Sequence, residues 1–258
     1  MKSMNKQPKE ELVRILREKG EELLARPREV ISFTGSDEAN DFLNDIERYP
    51  HAFVLACVMD IRIEAERAWR IPYVISKEAG GREFPKFLRL GQEPIKQVFV
   101  DQNLHIWNSK MSERFWLATE RIHKEYRDDA SLIWKGNPRS GTVVRRFLQF
   151  EGVGVKIASM ATNILARGFK ISMVDRNCID ISPDRHVRRV FYRLGLISDE
   201  NNDNELLYCA RGLNPEYPGV FDSPAWNLGE KICRARGLPK CEECYLNPYC
   251  PKKGVPKV

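Results

Sequence analysis

Four of the chain's seven cysteines stand in its last 26 residues, spaced C-x7-C-x2-C-x5-C as Cys233, Cys241, Cys244 and Cys250. Thiols packed that densely along a chain end up close together in space, so the C-terminal segment is constrained to wrap something compact. Four thiolates suit either tetrahedral zinc or an iron–sulfur cube. A structural zinc site usually presents two C-x2-C pairs on separate knuckles, and only one such pair occurs here. Disulfides are the poorer reading, because MKSMNKQPKEELVRILREKG contains no apolar signal-peptide core. The expected setting is cytoplasmic (nucleoid-associated in a prokaryote) and not secreted.

The remainder of the 258 residues reads as helix. Leu12, Ile15, Leu16, Leu23 and Leu24 share one stripe over residues 10–25, interrupted by Gly20. Ser36-Asp37-Glu38 starts a helix that Pro50 ends. Helical spacing then runs from His51 to Arg70, and residues 76–92 read as a loop with a short helix. Further helices are expected from Trp107 to Tyr126, Arg139 to Leu148, Lys156 to Ala166, in RHVRRVFYRLGL after Asp184, from Glu205 to Arg211, and from Pro224 to Cys233. The tail CPKKGVPKV reads as a frayed basic end. No stretch alternates with period two between turn signals, so the expected class is all-α. The longest apolar runs, such as Ala52 to Met59, fall far short of the ~20 residues that cross a bilayer, so no membrane partner is expected. The net charge of +6 permits an acidic partner without demanding one.

Between two of these helices lies Phe150-Glu151-Gly152-Val153-Gly154-Val155-Lys156. Gly152 and Gly154 let the backbone take positive φ and approach another molecule closely, while Val153 can plug the helix pair beneath. The free N–H groups of the following helix make a ready seat for a phosphate. With Leu148 before it and Lys156-x-Ala158 after it, the segment resembles the helix-hairpin-helix of proteins that bind the DNA backbone without reading its sequence.

Hairpin and cysteine run together are similar to the endonuclease III branch of the helix-hairpin-helix DNA glycosylases, over residues from about 50 to 251. That family's cysteine loop, C-x6-C-x2-C-x5-C, holds a 4Fe-4S cluster; here one extra residue lies between the first two cysteines. The resemblance implies a 4Fe-4S cluster on Cys233, Cys241, Cys244 and Cys250, with zinc as the alternative. It implies phosphate contacts from Arg234, Arg236 and Lys240 in the loop between the first two cysteines. Asp184-Arg185-His186-Val187-Arg188-Arg189-Val190 looks like the segment that carries the family's catalytic aspartate, and Lys156 falls where its strand-cleaving members keep a nucleophilic lysine. The chemistry calls for such a pair. A fixed carboxylate stabilises the positive charge that develops on the sugar as the base leaves. A lysine amine attacking the anomeric carbon gives a Schiff base, from which β-elimination cuts the strand.

The pattern departs from the family in places. Lys156 and Asp184 are 28 residues apart, longer than usual, with the excess in Asp175 to Pro183. Asp175, 19 residues from Lys156, is a rival carboxylate but lacks the following x-His. Arg62, or else Ile61, stands where the family places the residue that fills the gap left by a flipped nucleotide. Cys57 occupies the place of the glutamate of adenine-removing members, which speaks against adenine excision opposite oxidised guanine.

The expectation is therefore a monomeric DNA glycosylase on double-stranded DNA with a damaged or mispaired base, with AP lyase activity through Lys156. The alternatives are a monofunctional glycosylase using aspartate-activated water, or a non-catalytic DNA-binding module. The implied architecture is two helical lobes: a six-helix barrel over residues 49–170, and a discontinuous cluster lobe from residues 1–48 and 171–258.

Overall fold

The computed structural model describes residues 6–255, among which there are twelve α-helices and no strand. The chain divides into two compact units. One, the hairpin unit, comprises Arg28–Pro138 and Thr142–Ala161; the other, the cysteine unit, takes the chain up to Pro27, Arg139–Gly141 and everything from Thr162 onward.

The hairpin unit holds α2 (Asp37–Asn44), α3 (Pro50–Met59), α4 (Ala65–Glu78), α5 (Phe84–Leu90), α6 (Gln92–Asp101) and α7 (Asn108–Tyr126), with most of α8 (Ser140–Leu148) and α9 (Val155–Asn163). Every residue of α3 is buried. PHAFVLACVM has no polar face, so the helix can only be central, and α4 and α7 pack against it. The unit exceeds the expected six helices, and it starts at Arg28 rather than residue 49. Phe42 of α2 explains the difference: it is fully buried, edge-on to Tyr49 and His51 and stacked against Phe87. The chain before α2 is held by side chains of that helix, Asn44 Oδ1 accepting from Ile31 N at 2.8 Å and Asn40 Oδ1 from Thr34 N at 2.9 Å.

The single helix expected from His51 to Arg70 is in fact two, broken at residues 60–64. No glycine or proline marks the break. Arg62 takes a left-handed φ of 52° there, and fully buried His105 pins the loop. Its Nδ1 accepts from Trp107 N–H at 3.0 Å, which leaves Nε2 to donate to Ile61 O at 3.0 Å. Burial and the nearby Arg67 and Arg114 charges hold the His105 imidazole below its ordinary pKa.

In the cysteine unit, α1 (Lys6–Ala25), α10 (Arg185–Arg193), α11 (Asp203–Leu213) and α12 (Asp222–Lys231) close around Leu12, Leu16, Val190, Phe191 and Phe221. Gly20 does not interrupt α1 but serves as a contact: a Cβ there would lie 2.0 Å from Val220 O. The tail is not frayed over its described part. Lys253 N donates to Arg193 O at 3.1 Å, and Lys253 Nζ sits 4.1 Å from the centre of the Tyr192 ring; residues 256–258 lie outside the described residues.

Residues 175–183 form a strap anchored along its length. Asp175 Oδ1 accepts from Ser140 N at 3.1 Å and from the Ser140 hydroxyl, capping α8. Gly219 N donates to Ile179 O at 2.8 Å, and Arg211 grips both oxygens of Asp180 at 2.7 and 2.8 Å. Ser182 N then donates to Asp222 Oδ1 at 2.7 Å, immediately before Asp184 starts α10.

Candidate functional site

The hairpin forms as expected between α8 and α9, with Gly152 and Gly154 exposed and Val153 buried beneath them. Gly152 has φ 81°, a conformation that favours glycine. It also lies against α7, since a Cβ there would come 2.4 Å from Cζ of Arg114. The Arg114 side chain is 14% exposed and 3.8 Å from Glu151, so a mostly buried cation stands behind the loop. Lys156 occupies the first turn of α9, with its side chain 35% exposed. Its Nζ lies 3.7 Å from Oδ2 of Asp60, whose side chain is 9% exposed.

Sequence reasoning missed Asp60, because it fell inside an expected continuous helix; the α3–α4 break is what brings it out. The same break exposes Arg62, whose guanidinium stacks 5.8 Å from the centre of the Trp107 ring. Trp107 is 39% exposed, so a large aromatic side chain stands partly in solvent beside this arginine, and its chain neighbour Ile106 is 55% exposed. Ile61 is half-buried. Cys57 is fully buried in α3, where burial and the Asp60 charge push its thiol well above the ordinary range.

In the cysteine unit, Asp184 is the N-cap of α10, its side chain accepting from His186 N at 2.8 Å. The helix it starts is tightly packed, for a Cβ on Gly229 of α12 would lie 2.7 Å from the His186 backbone. Asp175 caps α8 instead, and Arg139 approaches it at 4.0 Å.

Cys233, Cys241, Cys244 and Cys250 line one small cavity, whose other walls are mainly apolar and include Val190, Leu194, Leu228 and Ile232. Among the described residues, no group of three or more His, Cys, Asp or Glu side chains is close enough to hold a metal ion as it stands. Burial raises the Cys244 and Cys250 thiols above their ordinary pKa, and the charges of Cys233 and Cys241 add to this. Arg193 Nη1 donates to the Cys233 sulfur at 3.4 Å and Lys252 N to the Cys250 sulfur at 3.4 Å. Four cysteines lining one mainly apolar cavity, the sulfurs of Cys233 and Cys250 accepting N–H groups, are a donor set whose chemistry fits a thiolate-bound metal centre. Arg234, Arg236 and Lys240 are exposed between the first two cysteines, and Lys240 pairs with Glu243 at 3.0 Å.

Among the described residues no helix is long and apolar enough to cross a membrane. No protein-family model matches the sequence, and no curated protein matches it. Solved structures do. A trapped endonuclease III–DNA covalent intermediate is similar with a TM-score of 0.62 at 15% identity, over 94% of this chain and 96% of that one. A thermostable thymine-DNA glycosylase is similar with a TM-score of 0.61 at 15% identity, over the same shares of 94% and 96%. At that identity the likeness is one of fold, and it spans nearly the whole of each chain: this protein has the all-helical endonuclease III-like fold.

Proposed function

We propose that the chain is a DNA glycosylase of base excision repair, acting on duplex DNA with a damaged or mispaired base, and that Lys156 gives it Schiff-base AP lyase activity. The observation that carries this reading is the Lys156 amine, partly exposed in the first turn after the hairpin and 3.7 Å from a buried carboxylate. It occurs in a fold shared with an endonuclease III that has been captured covalently on DNA.

The hairpin amides and the N-terminus of α9 hold a backbone phosphate, with the Arg114 charge behind them. A nucleotide leaves the stack, and Arg62 with Trp107 offers a cationic, aromatic surface to the gap. The base departs with the glycosidic electron pair and gains a proton, while the Asp184 carboxylate stabilises the positive charge left on the sugar. The unprotonated Lys156 amine bonds to the anomeric carbon and gives up one proton to solvent; the C1′–O4′ bond then breaks with its electron pair to O4′, which takes up a proton, leaving the protonated Schiff base. Removal of a C2′ proton then expels the 3′ phosphate, and water releases the enzyme. Both carboxylates cap a helix, Asp175 α8 and Asp184 α10, and Asp184 is assigned this role because His186 and the helix of the family's aspartate segment follow it. Arg234, Arg236 and Lys240 contact backbone phosphates.

The four cysteines hold a 4Fe-4S cluster in this reading, and zinc is the alternative that metal analysis separates. When bound, the group cross-links the C-terminal loop and supplies a one-electron redox centre.

Borohydride trapping on duplex DNA containing one abasic site tests the reading. Wild type forms a covalent adduct, Lys156→Ala forms none, and Asp184→Asn slows its formation. An adduct that survives in Lys156→Ala removes the lysine from this role. No adduct from folded wild type, with excision of a base from a damaged-base panel, gives the monofunctional mechanism; binding without excision gives the binding module.

A further inference from the structure

Two arginines are buried along α10, Arg189 at 5% exposure and Arg193 at 9%. Apart from the Cys233 sulfur, the hydrogen-bond acceptors around them carry no formal charge. Arg189 donates to the carbonyls of Cys233 at 2.8 Å and Gly229 at 2.6 Å, and approaches Nδ1 of His186 at 3.1 Å. Arg193 donates to Arg234 O at 2.8 Å and to the Cys233 sulfur at 3.4 Å. Among the described residues no carboxylate forms an ion pair with either; the negative charges acting on Arg189 are those of Cys233, then Glu200 and Asp184. Burying a cation without a counter-anion is among the costliest things a fold can do. Arg193 lines the cavity and finds its one anionic acceptor in the Cys233 sulfur, and four thiolates around an iron–sulfur cube carry a net negative charge.

Only one of the two reaches a sulfur. Arg189 ends on backbone carbonyls, whereas Arg193 lines the cavity itself and donates to Cys233 Sγ. Its main-chain carbonyl also accepts from Lys253 N at 3.1 Å, so the same residue ties down the chain just after Cys250. We propose that Arg193 is a second binding determinant of the cysteine-held cluster: its guanidinium neutralises the cluster's charge and raises its reduction potential through the Cys233 sulfur. This rests on the cluster reading above. Hydrogen bonds to the sulfurs and nearby positive charge both stabilise the more reduced, more negative state, which is how a protein moves such a potential upward.

The test compares wild type, Arg193→Gln and Arg193→Lys, purified without oxygen and read by iron content, visible charge-transfer absorption and potentiometry. Wild type carries iron. Arg193→Gln is expected to carry severalfold less iron per chain, with the potential of whatever fraction loads shifted negative. Arg193→Lys, which keeps the charge, is expected to recover most of the iron and most of the potential. Zinc, or no metal, in the wild type overturns the cluster reading itself. An iron-loaded wild type with Arg193→Gln unchanged in both occupancy and potential overturns only the role of Arg193. Should Arg193→Gln load no iron, the lysine variant decides: loading restored supports the charge role, and loading absent again overturns it.

Discussion

The Nζ of Lys156 and Oδ2 of Asp60 are 3.7 Å apart, one side chain open to solvent at 35% and the other nearly closed at 9%. The pair joins the first turn of α9 to the end of α3 and leaves the amine accessible. Lys156→Ala should abolish the borohydride adduct and lower stability by at most about 1 kcal/mol, since the lysine end of the pair is substantially solvated. Urea unfolding measures the second quantity, and a much larger loss would make the lysine chiefly a structural residue.

Gly152 and Gly154 should behave differently although they flank the same valine. Gly152→Ala forces a left-handed φ and drives a Cβ to 2.4 Å from Arg114, whereas nothing lies within 4 Å of a Cβ at Gly154. The first substitution should cost about 1–3 kcal/mol in unfolding free energy. The second should leave stability unchanged, and any weakening of DNA affinity it causes reports a close approach of the backbone to phosphate.

His51 is 1% exposed, Nε2 against Arg82 O at 3.0 Å, and burial pushes its pKa down to about 4. Between that value and the ordinary ~6.5, the unfolded chain binds a proton that the folded chain refuses. Stability should therefore fall as pH drops through this window, by about 3 kcal/mol for this group, and level off below it. His51→Gln should flatten that part of the pH dependence in urea titrations; an unchanged slope would assign the effect to other groups.

Arg234, Arg236 and Lys240 should each contribute to the salt dependence of duplex binding. Replacing one by alanine should reduce the slope of log K against log salt by about 0.9 for every phosphate that is no longer neutralised. Lys240 should give the smallest change, because Glu243 already holds its amine at 3.0 Å. Slopes identical to wild type in all three variants would place the DNA elsewhere.

Much of the fold is legible in the sequence because helix formation is local. The stripes of α1 and α7, the Ser36 start of α2 and the Asp184 start of α10 each depend on residues two to four apart. The hairpin and the gathering of four cysteines are legible for the same reason, as short motifs with fixed spacing. What escapes depends on distant partners. DIRIE contains no breaker, yet the chain turns there, pinned by a histidine more than forty positions further on. Asp175 reads in isolation as a candidate acid, and only Ser140, 35 residues earlier, shows it to be a cap. Asp60 has no motif at all, and becomes visible through Lys156.

The strap from Asp175 to Asp184 begins and ends on a carboxylate that starts a helix, α8 at one end and α10 at the other. Between them Ile179, Asp180 and Ser182 are each tethered to a different partner. The extra contour length is thus taken up in local moorings rather than in reach. Counting residues from Lys156 measures how much rope was let out, while the position of Asp184 is set by the last knot, where Ser182 is fastened to the first residue of α12.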